Sequence, residues 1–295
     1  MGLPTAPFSF SFSFSFSFLS LFSTLLVILH SLPSARTASD YANLVYRGCA
    51  VQKFQDPSGV SSQNLKTLFD SLLSQSSRTS FYSTTAGEGQ YAIFGLYQCR
   101  GDLGNGDCRN CLSKLPELSE NLCGKAIAAR VQLNGCYVRY EIAGFKQIGG
   151  TELLYKVCGS SRAGGSEFEE RRDSAFQMVE KGVEGDSKGF YTASYEWVYA
   201  LGQCEGDLGS GDCGDCVRSA LDRAKVECGS SISGQVYLHK CYISYSYYPN
   251  GVATKGPSEN KQSTEKIAAI VVGVAAAVGF VVSCLMFART ALKKK

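Results

Sequence analysis

The sequence predicts an α+β protein of two tandem disulfide-stapled modules, each an antiparallel sheet with two helices on one face, followed by a single transmembrane helix. Three observations lead to this prediction. A cysteine spacing occurs twice, helical and alternating apolar patterns follow one another in the same order in each copy, and the 295-residue chain carries an uncharged segment near each end. Together they indicate an exported chain whose folded part arose by duplication.

The duplication is visible in a glycine-rich motif. The segment "CRGDLGNGDC" begins at Cys99, and "CEGDLGSGDC" repeats it from Cys204. The cysteines that follow keep the same offset between the copies; they are Cys108, Cys111, Cys123 and Cys136, then Cys213, Cys216, Cys228 and Cys241. One more cysteine precedes each group, Cys49 in "NLVYRGC" and Cys158 in "ELLYKVC". We therefore expect two domains of six cysteines each, with "IGGTE" as the linker between them, at residues 40–148 and 151–249.

The two ends of the chain have the character of export and anchoring segments. Residues 1–38 are predicted to be a signal peptide, because residues 8–32 carry no charge and small residues follow them. Residues 267–287 also carry no charge and are long enough to cross about 30 Å of hydrocarbon as a helix. A basic cluster follows this segment, which predicts a single-pass type I orientation. Residues 250–266 are then a polar juxtamembrane linker, and the tail at 288–295 is too short for a kinase.

The charge balance excludes one class of partner. The formal net charge is +3, and the basic tail alone accounts for it. An exported ectodomain without a basic stripe gives no reason to expect a nucleic-acid partner. The sequence implies no cofactor.

Cysteines spaced this closely can form a zinc site, a redox centre or structural disulfides. An even number per copy in an exported chain favours three bridges per domain, although six cysteines allow 15 pairings. The glycines between Cys99 and Cys108 permit a tight reversal that would bring this pair within bonding range. Asp107 and Asp212 are predicted helix N-caps, so Cys108 and Cys111 would begin a helix, where a thiolate can be stabilised. A structural zinc site needs four ligands, which neither copy supplies.

The secondary-structure patterns recur in the same order in both copies. Behind Ser61 and Ser62, the predicted caps, apolar residues recur at helical spacing, and the second copy repeats that face. These residues are Leu65, Leu68, Phe69, Leu72 and Leu73, then Ala175, Met178, Val179 and Val183. A second helix is expected at each CxxC, bent or shortened by Pro116 in the first copy. Alternation on both sides of the Asn-Gly pair at 134–135 predicts a hairpin whose apolar face includes Cys136.

The cysteine spacing and the order of segments resemble a known family. The C-x8-C-x2-C core with two further cysteines resembles the plant cysteine-rich, ginkbilobin-type extracellular domain. Two such domains, one transmembrane helix and a short tail resemble the plasmodesmata-located proteins, whereas the related cysteine-rich receptor-like kinases continue into a kinase. The resemblance implies pairing of the first cysteine with the fifth, the second with the third and the fourth with the sixth. The implied bridges are Cys49–Cys123, Cys99–Cys108, Cys111–Cys136, Cys158–Cys228, Cys204–Cys213 and Cys216–Cys241.

The resemblance also implies a function. It implies a non-enzymatic type I membrane protein in the plasma membrane lining plasmodesmata, with its ectodomain outside the cell. Members of the family restrict cell-to-cell movement, promote callose deposition, act in defence and serve as docking sites for viral movement proteins. The implied partners are other membrane or wall-associated proteins at plasmodesmata, receptor-like kinases and viral movement proteins, and homo- or hetero-oligomers are expected.

Two other classes of function stay open. One is a cell-surface receptor or co-receptor for carbohydrate or wall polymers that acts with a partner kinase. Seed ginkbilobin binds mannose through an Asn, an Arg and a Glu, which fall by cysteine-relative position on Ala50, Arg130 and Glu141 here; the second copy matches at none of the three. Arg130 and Glu141 are thus candidate carbohydrate contacts, and the simpler interpretation is a surface ion pair on the polar face of the hairpin. The other class is a thiol–disulfide exchange enzyme working at Cys108 or Cys111.

Three further features are candidates for function: a histidine, an aromatic group and the thirteenth cysteine. His239 is the only histidine after the signal peptide, but it has no nucleophile to activate. Trp197 and the tyrosines of residues 242–248 could form a sugar or partner surface, against the simpler interpretation that half of them are core. Cys284 lies near the cytoplasmic end of the transmembrane helix and is a candidate for palmitoylation, or else apolar filler.

Overall fold

The computed structural model describes residues 40–185 and 188–249. These residues belong to two units that divide between Phe145 and Lys146. Within the described ranges, none of the helices has the length and apolar character needed to cross a bilayer. Several predicted segments lie outside the described residues: the signal peptide at 1–38, the linker at 250–266, the transmembrane helix at 267–287 with Cys284, and the tail at 288–295.

The first unit is a five-stranded antiparallel sheet with helices on one face. Its strands are β1 (Leu44–Cys49), β2 (Phe81–Ala86), β3 (Ile93–Cys99), β4 (Ala128–Leu133) and β5 (Cys136–Ile142). Its α-helices are α1 (Val60–Gln75), α2 (Asn105–Leu112) and α3 (Leu115–Cys123). The strands lie in the order β1-β4-β5-β3-β2, and each neighbouring pair is antiparallel. Alternate residues of β4 and β5 form one core with the apolar side of α1, as the alternation predicts.

The second unit repeats this architecture. Its strands are β6 (Leu153–Cys158), β7 (Phe190–Tyr195), β8 (Val198–Cys204), β9 (Ser233–Leu238) and β10 (Cys241–Tyr247), and its α-helices are α4 (Glu167–Glu184) and α5 (Ser210–Cys228). The order β6-β9-β10-β8-β7 matches that of the first unit strand for strand. The predicted α+β class and the tandem arrangement are confirmed.

The segment predicted to be a linker is part of the second unit. The carbonyl of Gly150 accepts a hydrogen bond from the backbone N–H of Lys240, at 2.9 Å, and that of Glu152 accepts one from His239, also at 2.9 Å. These bonds fix the approach to β6 against the turn between β9 and β10. A Gly-Gly pair is suited to a tight ordered turn as well as to a linker.

The predicted helix caps are wrong in both places where they were assigned. Helix α1 begins at Val60, and the carboxylate of Asp56 accepts hydrogen bonds from the backbone N–H groups of Ser61 and Ser62, at 3.0 and 2.9 Å. The two serines are therefore inside the first turn. Helix α2 begins at Asn105 and α5 at Ser210, so Asp107 and Asp212 lie in the first turns of these helices and are not their caps. An acidic residue there is still favourable, because it complements the partial positive charge of the helix N-terminus.

Pro116 divides the helix of the first unit in two. Helix α2 ends at Leu112 and α3 begins at Leu115, which places Pro116 in the first turn of α3, where its missing N–H costs no helical bond. The second unit has Leu221 at the corresponding position, and α5 runs unbroken through it. The predicted effect of Pro116 is confirmed.

Six disulfides tie the helices to the sheets. They are Cys49–Cys123, Cys99–Cys108, Cys111–Cys136, Cys158–Cys228, Cys204–Cys213 and Cys216–Cys241, the pairs that the resemblance implies. Cys99 and Cys136 face each other across β3 and β5, and each is bonded to one cysteine of the CxxC in α2. Each CxxC thus fastens one helical turn to two neighbouring strands.

Candidate functional site

The hairpin of β4 and β5 carries the two candidate carbohydrate contacts. Arg130 lies directly opposite Arg139, and Glu141 lies opposite Ala128. The backbone N–H of Ala50 donates to the carbonyl of Ala128, at 2.9 Å. The three positions taken from the resemblance are therefore close together at one end of β1, β4 and β5. Since an alanine stands where the amide would be, carbohydrate contact at Arg130 and Glu141 stays a prediction.

The interpretation of this hairpin face as solvent-exposed is wrong. Arg130 and Arg139 are each only 8% exposed. The guanidinium of Arg130 lies over the ring of Tyr137, 3.9 Å from its centroid. Arg139 Nη1 lies 3.8 Å from a carboxylate oxygen of Glu141. A planar guanidinium can stack on an aromatic ring while its edge keeps polar partners, so arginine can be buried at a position that alternation marks as polar.

The CxxC motifs contain no free thiol. All twelve cysteines among the described residues are disulfide-bonded. The Cα atoms of Cys108 and Cys111 lie 5.6 and 6.1 Å from those of their partners, Cys99 and Cys136, which is ordinary disulfide geometry. In the described part of the chain, no group of three or more His, Cys, Asp or Glu side chains is placed to hold a metal ion. In this structure each motif is a pair of structural bridges.

The aromatic candidates of the second unit divide into two sets. Trp197 and Tyr248 are 51% and 43% exposed, and the backbone N–H of Tyr248 donates to the carbonyl of Trp197 at 3.0 Å. Tyr242 and Tyr245 are buried. Tyr245 lies on the face that the alternation marks as apolar, but Tyr242 lies on the opposite face and is buried as well, so the alternation alone does not account for this division. His239 is also buried, in the turn between β9 and β10.

Hydroxyl groups and exposed rings meet in a groove of about 530 Å³ on the second unit. Its polar and aromatic lining comprises Thr192, Ser194, Tyr199, Ser244, Tyr245, Ser246 and Tyr248. The rings of Tyr199 and Tyr248 pack edge to face, with centroids 5.9 Å apart. Hydroxyls that donate and accept hydrogen bonds, beside rings with an apolar face, can bind a sugar ring.

A second concave site lies between α1 and α3 of the first unit and has a volume of about 480 Å³. Its apolar lining comprises Phe54, Leu65, Phe69, Leu73, Pro116 and Tyr140. Phe69 packs edge to face on Tyr140, with centroids 5.9 Å apart. The Tyr140 hydroxyl donates to the carbonyl of Ala126 at 3.2 Å, and burial raises the pKa of Tyr140 to about 12, so this hydroxyl stays protonated. We call this site the α1–α3 cleft.

Sequence reasoning missed the α1–α3 cleft. It placed Leu65, Phe69 and Leu73 on one apolar face of a helix, and the structure leaves all three half-buried at the cleft. Helical spacing shows that residues share a face; it does not show whether another element covers that face. The signal that could have revealed the cleft is the difference between the copies, because Pro116 has no counterpart in the second.

Two tandem α+β units, each stapled by three disulfides, define this chain as a cysteine-rich ectodomain protein. The family model described as Salt stress response/antifungal matches residues 48–143 and 157–248, one match in each unit. Plasmodesmata-located protein 2 of Arabidopsis thaliana is 52% identical, over 93% of this chain and 94% of its own length. Plasmodesmata-located protein 1 of the same plant is 50% identical, over 87% and 90%. The chain therefore belongs to the plasmodesmata-located protein family.

Solved structures agree with this assignment. The tandem ectodomain of the cysteine-rich receptor-like protein PDLP8 of Arabidopsis thaliana superimposes with a TM-score of 0.65 at 33% identity, and the match covers 70% of this chain and 98% of that one. The corresponding ectodomain of PDLP5 gives a TM-score of 0.62 at 29% identity, covering 70% and 99%.

Proposed function

We propose that this chain is a non-enzymatic, single-pass type I membrane protein of plasmodesmata that modulates cell-to-cell trafficking. The observation that carries the proposal is the 52% identity to Plasmodesmata-located protein 2 over 94% of that protein. The uncharged segment at 267–287 supports membrane anchoring, and the uncharged N-terminal segment supports export of the ectodomain.

The proposed mode of action is binding. In the described residues every cysteine is bridged, so the surfaces that the disulfides hold rigid are what the ectodomain offers to partners. We propose that these partners are other membrane or wall-associated proteins at plasmodesmata, including receptor-like kinases and viral movement proteins, and that the outcome is callose deposition in defence. Rigid surfaces favour binding because less conformational freedom is lost on association.

Imaging of the full chain with a fluorescent protein fused after residue 295 tests the proposal. We expect puncta across cell walls that coincide with callose staining, and slower spread of a freely diffusing fluorescent protein from cell to cell when the chain is overproduced. A matched variant, Val274→Arg, places a charge in the predicted membrane segment and should abolish both effects. Uniform membrane label, or puncta without any change in spread, would contradict the proposal.

The groove of the second unit favours a second candidate function, a carbohydrate or wall-polymer receptor or co-receptor that acts with a partner kinase. Its hydroxyls and rings are suited to a sugar, whereas the hairpin position has an alanine in place of the amide. Glycan-array binding by the wild-type chain, by Tyr248→Ala and by Arg130→Ala would locate such a site. Loss with Tyr248→Ala alone would assign it to the groove and loss with Arg130→Ala alone to the hairpin; no binding by the wild type would remove this candidate.

A further inference from the structure

The two units differ in the space between their helices, and the second unit shows which chemistry fills that space. Phe69 packs edge to face on Tyr140 at 5.9 Å, and Phe176 packs edge to face on Tyr245 at 5.3 Å. These pairs place α1 and α4 in equivalent positions. Four residues before each phenylalanine, the first unit has Leu65 and the second has Arg172.

Arg172 closes the space in the second unit. It is only 4% exposed, and its Nη1 donates to the carbonyl of Gly229 at 2.6 Å. Its guanidinium carbon lies 5.7 and 5.8 Å from the ring centroids of Phe168 and Phe176. One cation therefore bridges α4 to the end of α5 while its flat faces contact aromatic rings.

The first unit keeps the acceptor but has no counterpart of Arg172, and the ammonium of Lys53 donates to the neighbouring Cys123 carbonyl at 2.7 Å. Gly124 corresponds to Gly229: each follows the helix end and has a left-handed φ, of 57° and 53°. Gly124 lines the α1–α3 cleft, and no described residue donates to its carbonyl. Leu65 stands where Arg172 does in the second unit, and an isobutyl group cannot supply the missing donor.

Two more features of the α1–α3 cleft suit a polar, cationic occupant. Ser119 lines the cleft and is 2% exposed, and its hydroxyl has no hydrogen-bond partner among the described residues. The charged lining has an acidic excess; it comprises Asp70, Glu117 and Glu120 against Lys66 and Lys125. A buried hydroxyl without a partner is unfavourable, so a ligand that bonds to it gains affinity.

We propose that the α1–α3 cleft binds a small organic cation: a guanidinium or ammonium group attached to an aromatic or branched apolar body. The cationic group takes the place of the Arg172 guanidinium and donates to the Gly124 carbonyl, and the apolar body lies on Phe69, Leu65 and Tyr140. A volume of about 480 Å³ is within the range of small-molecule sites, which is roughly 300–1,000 Å³. This binding site goes beyond the proposed trafficking role and does not depend on it.

Calorimetric titration of the full chain in zwitterionic lipid nanodiscs tests the proposal. The probe is 2-phenylethylguanidinium, and empty nanodiscs correct for partition into lipid. We expect saturable binding with one site per chain. The neutral analogue 2-phenylethylurea should bind about tenfold more weakly, because hydrogen bonds from a charged donor are the stronger ones. Methylguanidinium, which lacks the apolar body, should also bind at least about tenfold more weakly.

Two variants locate the binding. Leu65→Arg reproduces the second unit and should abolish binding, since its own guanidinium then reaches the Gly124 carbonyl. Glu120→Lys, an exposed substitution with little effect on folding, should weaken binding of the cation by about fivefold and leave that of the urea unchanged. The proposal is overturned if the cationic probe does not bind saturably, if the urea binds equally well, or if Glu120→Lys leaves the affinity of the cation unchanged.

Discussion

The two units share one disulfide framework and one sheet order, yet their helices are packed in different ways. In the second unit α5 is continuous and Arg172 joins α4 to its end. In the first unit Pro116 divides the corresponding helix, and the space between α1 and α3 stays open. The connections between strands also differ, with residues 87–92 joining β2 to β3 but only residues 196–197 joining β7 to β8.

This difference shows that the disulfides relax the demands on helix packing. In the first unit the Cys49–Cys123 bridge ties the end of α3 to β1, so α3 keeps its place on the sheet although the space between α1 and α3 stays open. In the second copy Arg172 closes the space between the helices, while in the first copy that space stays a concave surface.

Removing a long-range bridge should have the largest effect. Cys158→Ser with Cys228→Ser opens a separation of 70 residues, and Cys204→Ser with Cys213→Ser a separation of 9. Chain entropy predicts losses in the free energy of unfolding of about 4–5 and about 2–3 kcal/mol. Trp197 is the single tryptophan of the chain, so its fluorescence during denaturant unfolding reports on the second unit. A larger loss from the short-range pair would contradict the entropic explanation.

Opening the closed copy should have the next largest effect. Arg172→Leu removes the bond to the Gly229 carbonyl and should lower the free energy of unfolding by about 1.5–3 kcal/mol. The matched control is Arg218→Leu: Arg218 pairs with Glu180, Glu184 and Asp215, but its side chain is 47% exposed, so a loss of at most about 1 kcal/mol is expected. Tryptophan fluorescence follows both variants. Equal losses would show that Arg172 does not hold the helices together.

Relaxing the short hairpin turn should raise stability. Glu196 and Trp197 have left-handed φ values of 40° and 70°, which suit Asn and Gly better than residues with larger side chains. We expect the double variant Glu196→Asn, Trp197→Gly to gain about 1 kcal/mol, measured by thermal unfolding followed by circular dichroism. Gly89→Ala in the first unit, at φ 56° with open space around it, should lose a similar amount. A loss in the double variant would mean that the Arg171–Glu196 ion pair, at 2.8 Å, and the packing of Trp197 outweigh the backbone strain.

The smallest effect is expected at the start of α1. Hydrogen bonds from Ser62 and Ser61 lower the pKa of Asp56. The stabilisation from this carboxylate is therefore complete above its unfolded pKa, about 3.9, and is lost as the pH falls through the lower folded value. In hydrogen exchange, we expect Asp56→Ala to speed exchange of the first amides of α1 at pH 6. Helix α4, whose N-cap Ser166 makes no side-chain bond, serves as the unaffected reference. Equal exchange rates in the variant and the wild type would show that the Asp56 carboxylate does not stabilise the first turn of α1.

Local patterns predicted much of the fold. The Asn-Gly pair at 134–135 with alternation on both sides predicted the hairpin of β4 and β5, and Pro116 predicted the divided helix. These features depend on residues close in sequence, so the sequence alone can reveal them. The caps were missed for two reasons. Asp56 lies in the loop before α1, and its carboxylate accepts hydrogen bonds from the first turn of that helix. Helix α2 begins at Asn105, earlier than the sequence predicted, so Asp107 lies inside its first turn.

The candidate sites depended more on long-range structure. Alternation predicted that Arg130 and Arg139 were polar surface, but stacking on Tyr137 and pairing with Glu141 allow them to be buried. Helical spacing identified the face containing Leu65 and Phe69 but could not show that α3 leaves it uncovered. Neither outcome is set by neighbours in sequence, because burial depends on which other elements reach the residue.

The sequence by itself determined the duplication, the α+β class, the principal helices and the hairpin of β4 and β5, because cysteine spacing and apolar periodicity are properties of the chain. Only the tertiary structure decided which copy is closed and which is open. That choice depends on whether the side chain at one helical position, Leu65 or Arg172, can reach a carbonyl at the end of another helix. Contacts between residues so far apart in the chain form only when the sheet and its disulfides bring the helices together.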